Sequence, residues 1–156
     1  MDLIDSHVST VFLLRADGAA LMQHRDDRPG LRHAGMWVPP GGHRESGEDA
    51  KACAERELLE ETDYRCNNLT FLHAFLDKQP GWEPYELTVF RARYDEEQQV
   101  CCHEGQALEF VSRENAHALS IPAYLIDLWD MAVAAEIADL SAVAHSKGHS
   151  LESVTI

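Results

Sequence analysis

The sequence predicts an α/β fold in which helices cover both faces of a mixed β-sheet. Three observations lead to this prediction. The chain opens with two strand-like segments joined by a turn at residues 16–18, an amphipathic acid-rich helix follows at residues 49–62, and further strand-like segments precede a final helix. No internal repeat or linker divides the 156 residues, a length that suits one domain with a real core.

Each element follows from a local pattern. Runs rich in apolar and β-branched residues predict strands at residues 8–16, 19–25, 69–78, 85–95 and 107–113. The prolines of MWVPPGGH, residues 36–43, exclude a helix and predict a short extended piece. Pro122 opens a final helix, predicted for residues 123–138, whose apolar residues on more than one side leave open a homodimer interface. We therefore expect one domain over residues 1–145 and a loosely held tail over residues 146–156.

Charge and composition exclude several classes of partner. The net charge of −14 argues against a nucleic-acid polymer or an anionic membrane as partner. No apolar run approaches the roughly 20 residues that span a bilayer. Asp2 and Asp5 stand where a signal peptide would carry Lys or Arg, so we expect a cytoplasmic protein. Because no CxxC spacing is present, free thiols are expected for Cys53, Cys66, Cys101 and Cys102.

The central helix places acids where the core should be. With Ser46 as the predicted N-cap, its apolar stripe consists of Ala50, Cys53, Ala54 and Leu58. At about 100° per residue, Glu57 and Glu61 fall inside this stripe and Glu60 falls on its edge. Burying a carboxylate without a partner is costly, and Arg56 cannot satisfy three acids. A solvated acidic helix end is the alternative, but the phase of the stripe favours a hard divalent cation such as Mg²⁺.

The segment GHRESGEDAKACAERELLEETDY, residues 42–64, resembles the Nudix box of Nudix hydrolases, G-x5-E-x7-R-E-U-x-E-E-x-G-U with U apolar. The matching residues are Gly42, Glu48, Arg56, Glu57, Leu58, Glu60 and Glu61. The preceding Pro40 and Gly41 fit the usual lead-in. One position departs, because Asp63 replaces the family's glycine; we expect a left-handed residue there and a small stability penalty.

The resemblance implies a Nudix-type α/β/α sandwich and hydrolysis of a pyrophosphate bond in a nucleoside diphosphate linked to another group, dependent on Mg²⁺ or Mn²⁺. It implies metal ligation by Glu57, Glu60 and Glu61 with the backbone carbonyl of Gly41. Arg56 and Glu57 would be catalytic. Residues Glu48 and Gly42 would support the motif, Glu48 through charge-assisted hydrogen bonds shared with Arg56.

A further candidate lies in HEGQALEF, residues 103–110, which looks like a segment of MutT-like members of the family. There, the glutamate before Gly-Gln contributes to metal binding or activates water, and in this sequence it is Glu104. A surface loop acid is the alternative of equal weight.

The substrate is less defined. Arg25, Arg28 and Arg32 could contact phosphates, although a solvated loop is the plainer explanation, and Trp82 is the best candidate for stacking a base. The resemblance favours a small nucleoside triphosphate as partner. Pro80 leaves ADP-ribose or a nucleotide sugar as the alternative. A nucleotide sensor without turnover is a third interpretation, disfavoured because the motif acids are all present.

Overall fold

A computed structural model describes the backbone of residues 6–154 and the side chains of residues 6–144. Its strands are β1 (His7–Leu14), β2 (Ala20–His24), β3 (Trp37–Val38), β4 (Gly41–His43), β5 (Thr70–Asp77), β6 (Tyr85–Arg93) and β7 (Ala107–Val111). The helices are α1 (Ala50–Thr62), a 3₁₀ helix (Arg113–Ala118) and α2 (Ala123–Val154).

All these strands join one mixed sheet. Strand β1 pairs in parallel with β6 along its whole length, while the other pairings are antiparallel. The path runs β3-β2-β1-β6-β5, with β4 added to β1 and β7 added to β2. The predicted opening hairpin is confirmed, because Leu14 pairs with Ala20 and the Arg15 N–H donates to the Ala19 carbonyl at 2.9 Å.

Strand β1 divides the core into two layers. Its side chains alternate between the two faces of the sheet, as a strand with both faces buried requires. Phe12 and Leu14 pack with residues of α2, including Trp129. Val11 and Leu13 pack with residues of α1, including Leu58, on the other face. The α/β sandwich predicted from the sequence is therefore confirmed.

The ends of α1 hold its register. Its N-cap is Asp49, whose Oδ1 accepts from the Ala52 N–H at 2.8 Å. The prediction of Ser46 as N-cap was wrong, because only Asp49 adjoins the first helical residue. At the other end, Asp63 adopts the left-handed conformation with φ of 66°, and its N–H donates to the Leu59 carbonyl at 2.9 Å. The left-handed conformation expected at Asp63 is confirmed, and the small stability penalty stays a prediction.

The last helix is longer than predicted. It runs to Val154, so the predicted end at residue 138 was wrong: the apolar periodicity fades there, but no proline stops the helix. Side chains from residue 145 onward lie outside the described residues, and the loose tail stays a prediction. The homodimer also stays a prediction; exposed apolar side chains on α2 are Met131, Ile137, Leu140 and Val143. Within the described residues, none of the helices has the length and apolar content needed to cross a membrane.

Candidate active site

Strand β4 brings two glycines against the acidic face of α1. A Cβ on Gly41 would lie 2.2 Å from the Ser9 carbonyl oxygen, and a Cβ on Gly42 would lie 2.4 Å from the carboxyl carbon of Glu57. Neither approach leaves room for a side chain, since contacts under 3.0 Å force something to move. Gly41 therefore lets β4 lie directly against β1, and Gly42 lets Glu57 of α1 reach the cleft between β4, β6 and α2.

Glu61 is the most deeply buried acid of α1, with 5% of its surface exposed. Its Oε2 accepts from the Gly41 N–H at 3.2 Å. Burial first, and then the neighbouring carboxylates of Glu104 and Glu57, raise the pKa of Glu61 to about 9, while the Gly41 N–H acts in the opposite direction. Burial and the neighbouring carboxylates therefore oppose ionisation of Glu61, and a proton or a cation is favoured beside it.

Glu57 lies beside Glu61 at the cleft surface, with 15% of its side chain exposed. Burial raises its pKa, and the hydrogen bond from Arg56 Nη1 to Glu57 Oε1, at 2.9 Å, lowers it. The sequence prediction that these two acids share the buried face of α1 is confirmed by their position.

Arg56 joins the loop before α1 to the helix. Its Nε donates to Glu48 Oε2 at 2.6 Å and its Nη2 to Glu48 Oε1 at 3.1 Å, a two-point contact with one carboxylate. The same guanidinium donates from Nη2 to the His43 carbonyl at 3.0 Å. Arg56 and Glu48 thus have the shape-holding contacts that the motif predicts.

Glu60 is oriented differently from the other two acids of α1. Its side chain is 58% exposed and accepts from Arg56 Nη1 at 3.1 Å. Glu60 does not line the cleft, so a role in metal binding remains a prediction for this residue.

The segment before β7 carries Glu104 to the site. Backbone N–H groups of Cys101 and His103 donate to the carbonyls of Thr62 (2.9 Å) and Glu61 (3.1 Å), which extends the end of α1. Gly105 has φ of 81°, and a Cβ there would lie 2.5 Å from the carbonyl oxygen of His24.

The glutamine of the same segment completes this anchoring. The Gln106 side chain donates from Nε2 to the Arg25 carbonyl at 2.8 Å, and its own N–H donates to the His24 carbonyl at 2.7 Å. Within residues 104–106, Gly105 therefore permits a close approach to the His24 carbonyl, and Gln106 anchors the segment. The Glu104 side chain faces the cleft near Glu61.

The cleft has a volume of about 710 Å³, a size typical of small-molecule sites. Of the four predicted substrate residues, Arg25, Arg32 and Trp82 line it, whereas Arg28 is exposed and lies outside it. Sequence reasoning missed four other lining or supporting side chains: His33, Arg44, Asp77 and Tyr124. Of these four, only Asp77 could have been noticed in the sequence, as a charged residue at the end of a predicted strand. Its ion-pair partner, Arg32, is distant in sequence.

The donor set suits a hard divalent cation. Carboxylate oxygens of Glu57, Glu61 and Glu104 face one cleft, and a cation there would offset the burial and the mutual repulsion that raise the pKa of Glu61. As the described side chains stand, no group of three acids, histidines or cysteines forms a ready-made metal centre.

The sandwich, the glycine pair and the acid-bearing helix define a Nudix-type domain. The sequence profile of the NUDIX domain matches residues 5–128, and the chain belongs to this family.

Among curated proteins, an RNA pyrophosphohydrolase of Mesorhizobium japonicum is 32% identical over 93 residues, covering 54% of this chain and 50% of that protein. The chain therefore aligns with about half the length of this relative.

Solved structures show the same fold. A MutT protein from Methanosarcina mazei Go1 is 21% identical with a TM-score of 0.68, covering 80% of this chain and 90% of that one. A C. elegans Ap4A hydrolase in a binary complex is 22% identical, also with a TM-score of 0.68, covering 86% of this chain and 98% of that one. At these identities, the likeness establishes the architecture.

Proposed function

We propose that the protein is a divalent-metal-dependent hydrolase that cleaves a pyrophosphate bond in a nucleotide linked to a further group. The observation that carries the proposal is the convergence of Glu57, Glu61 and Glu104 on one cleft, with the pKa of Glu61 raised to about 9. When ionised, such a cluster is unfavourable for stability unless a cation occupies it, and perturbed carboxyls in a cleft are typical of functional sites.

The side chains have separate tasks in this proposal. Glu57, Glu61 and Glu104, with the carbonyl of Gly41, would hold Mg²⁺ or Mn²⁺. The bound cation would neutralise phosphate charge and lower the pKa of water. Arg56 keeps Glu57 in place through its 2.9 Å contact and ties it to Glu48. The close packing of Gly42 on Glu57 fixes the carboxylate from the other side. Phosphoryl transfer needs mainly this positioning and charge neutralisation.

For the substrate, we favour a nucleoside triphosphate over ADP-ribose or a nucleotide sugar. The cleft accommodates one nucleotide, and Arg25 and Arg44 line it with buried Nε atoms that have no hydrogen-bond partner among the described side chains. Phosphate oxygens are suitable acceptors for such donors. The EGQ segment, resembling MutT-like members, points the same way.

A second candidate is the 5′ end of an RNA. The relative from Mesorhizobium japonicum is named an RNA pyrophosphohydrolase and shares 32% identity over 93 residues. The net charge of −14 opposes binding along a polymer, so only a terminal nucleotide would occupy the cleft.

A hydrolysis screen tests these alternatives. Nucleoside triphosphates, ADP-ribose, sugar nucleotides and a 5′-triphosphorylated RNA are incubated with Mg²⁺, with Mn²⁺ or with EDTA, and products are identified by chromatography. We expect metal-dependent release of pyrophosphate and a nucleoside monophosphate from triphosphates. Cleavage confined to ADP-ribose or to RNA would transfer the proposal to that substrate. Nucleotide binding without any turnover would instead indicate the sensor.

A further inference from the structure

A buried ion pair supports the wall of the cleft opposite the acids. Arg32, in the loop between β2 and β3, places Nη2 3.3 Å from Asp77 Oδ1 at the end of β5. Asp77 is 1% exposed and also accepts from Gln79 Nε2 at 2.8 Å. A carboxylate at this depth requires a partner, and the arginine provides it. The pair places a negative charge beside Arg32 from inside the protein, as an ion pair without hydrogen-bond geometry.

The plane of the Arg32 guanidinium is fixed as well. Its Cζ lies 4.1 Å from the centroid of the Tyr85 ring, within the range of a cation–π contact. Nη1 also donates to the Glu83 carbonyl at 3.4 Å, and only 15% of the side chain is exposed. Arg32 and Tyr85 both line the cleft. Because one guanidinium face covers Tyr85, a ligand meets the opposite face or its edge.

Several side chains around Arg32 carry planar rings. His33 Nε2 lies 3.3 Å from the Tyr124 hydroxyl, and burial followed by Arg32 lowers the pKa of His33. Burial and the charge of Asp77 raise the pKa of Tyr85 to about 12. Trp82, in the loop after β5, is 41% exposed at the cleft edge. This wall therefore differs in chemistry from the carboxylate wall facing it.

A phosphate gains less from an arginine that is already paired with a buried carboxylate than from a free one. A flat heterocycle gains more, since nucleobases stack on guanidinium planes and on aromatic rings. Arg32 Nε and Nη2 have no hydrogen-bond partner among the described residues, so the guanidinium keeps unused donors.

We propose that Arg32, Tyr85 and Trp82 form the subsite for the nucleobase of the substrate, and that buried Asp77 is the positioning residue that holds Arg32 in stacking orientation. This assignment rests on the proposed function for the ligand being a nucleotide. It reassigns Arg32 from the phosphate contact expected from the sequence to base recognition, and leaves Arg25 and Arg44 for phosphates.

Calorimetric binding in EDTA tests the subsite without turnover or metal. The probes are the four common nucleoside monophosphates and ribose 5-phosphate, which lacks a base. In Arg32→Lys and in Asp77→Asn, we expect the Kd of the best monophosphate to rise about 10-fold. The weak affinity for ribose 5-phosphate should stay unchanged.

Arg113 and Asp130 provide a matched control. They form an ion pair at 2.7 Å, and Arg113 lies 5.7 Å from the Trp129 ring centroid, yet neither residue lines the cleft. Arg113→Lys and Asp130→Asn should leave all Kd values at the wild-type level. Trp82→Ala changes an exposed side chain, so it tests the subsite even where Asp77→Asn fails to fold.

Three results would overturn the proposal. Arg32→Lys could lose affinity for the monophosphates and for ribose 5-phosphate equally, or Arg32→Lys and Trp82→Ala could both keep the wild-type Kd values. In the third result, the wild type binds the monophosphates no better than ribose 5-phosphate. Each is independent of the hydrolysis screen. Turnover without base-dependent binding would remove this subsite and keep the hydrolase. Base-dependent binding without turnover would keep the subsite and remove the hydrolase.

Discussion

Gly42 lies so close to the Glu57 carboxylate that no side chain fits at position 42 unless the carboxylate moves. A Cβ on Gly42 would lie 2.4 Å from Cδ and 2.5 Å from Oε1 of Glu57. The atoms it would meet belong to the end of a flexible side chain rather than to backbone. A substitution therefore displaces the carboxylate more than it disturbs the fold.

Gly42→Ala should consequently reduce hydrolysis with little loss of stability. We expect kcat to fall about 10- to 100-fold, because displacements near 1 Å at a reacting centre have effects of this order. The melting temperature should drop by only a few degrees. Steady-state kinetics and calorimetric melting of both proteins measure the two quantities.

Gly47→Ala is the control for Gly42→Ala. Gly47 has φ of 85°, and nothing lies within 4 Å of the position that a Cβ would take, so alanine there strains the backbone without reaching Glu57. Gly47→Ala should lower the free energy of unfolding by about 1 kcal/mol and leave kcat unchanged. Equal losses of kcat in the two variants would contradict the steric role of Gly42.

Glu57→Gln tests the role of the carboxylate itself. The amide keeps the size of the side chain but removes the charge, so turnover should fall on the order of 100- to 1000-fold while the melting temperature is retained. Glu55→Gln, on the opposite face of α1 and outside the cleft, should keep full turnover. Near-wild-type kcat in Glu57→Gln would refute the assigned role.

The fold and the motif could be predicted from the sequence because both depend on local patterns. Alternating and continuous apolar runs marked the strands, and the phase of Glu57 and Glu61 against Leu58 already placed these acids on the buried face of α1. The spacing of the motif identified Arg56 and Glu48 as its supporting residues. Because Asp63 stands where the motif has glycine, a left-handed backbone was expected there, and its φ of 66° agrees.

The opposite wall of the cleft could not be predicted in this way. The contact of Arg32 with Asp77 joins a loop to the end of a distant strand, and no periodicity links them. Tyr124 reaches His33 only because α2 begins over the cleft. The rotamer of Glu60, directed to Arg56 and solvent, also depends on packing that a helical wheel does not contain.

The raised pKa of Glu61 predicts how stability changes with pH in the absence of metal. Its pKa is about 9 in the folded protein against an ordinary value of 4.5, so the folded state binds the extra proton between these values. Stability contributed by this group is present below about pH 4.5 and is lost as pH rises toward 9. In EDTA, the melting temperature of the wild type should therefore fall relative to Glu61→Gln from pH 5 to pH 8.

Divalent cation should reverse this trend. A ligand that binds only the folded state stabilises it, and a cation favours ionised carboxylates. Mg²⁺ or Mn²⁺ at pH 8 should raise the melting temperature of the wild type and have a smaller effect on Glu61→Gln. A melting temperature unmoved by either cation, with and without nucleotide, would contradict the metal site.

Asp63→Gly should have little effect on stability, although it restores the residue usual in the motif. Glycine adopts the left-handed conformation without steric cost, which favours the variant. Against this, the substitution removes the contact between Asp63 Oδ2 and His103 Nε2 at 2.8 Å, in the segment that leads to Glu104. Both groups are about half exposed, so the contact is weak and screened by salt. We expect a melting temperature within about 3 °C of the wild type.

Asp63→Ala separates the two effects. Alanine loses the His103 contact and keeps the left-handed strain, so its melting temperature should lie below that of both Asp63→Gly and the wild type. His103→Ala removes the contact alone and should match the wild type closely in thermal melting. If His103→Ala instead lowered kcat more than Asp63→Ala, the His103 side chain would act on the neighbouring Glu104 rather than through Asp63.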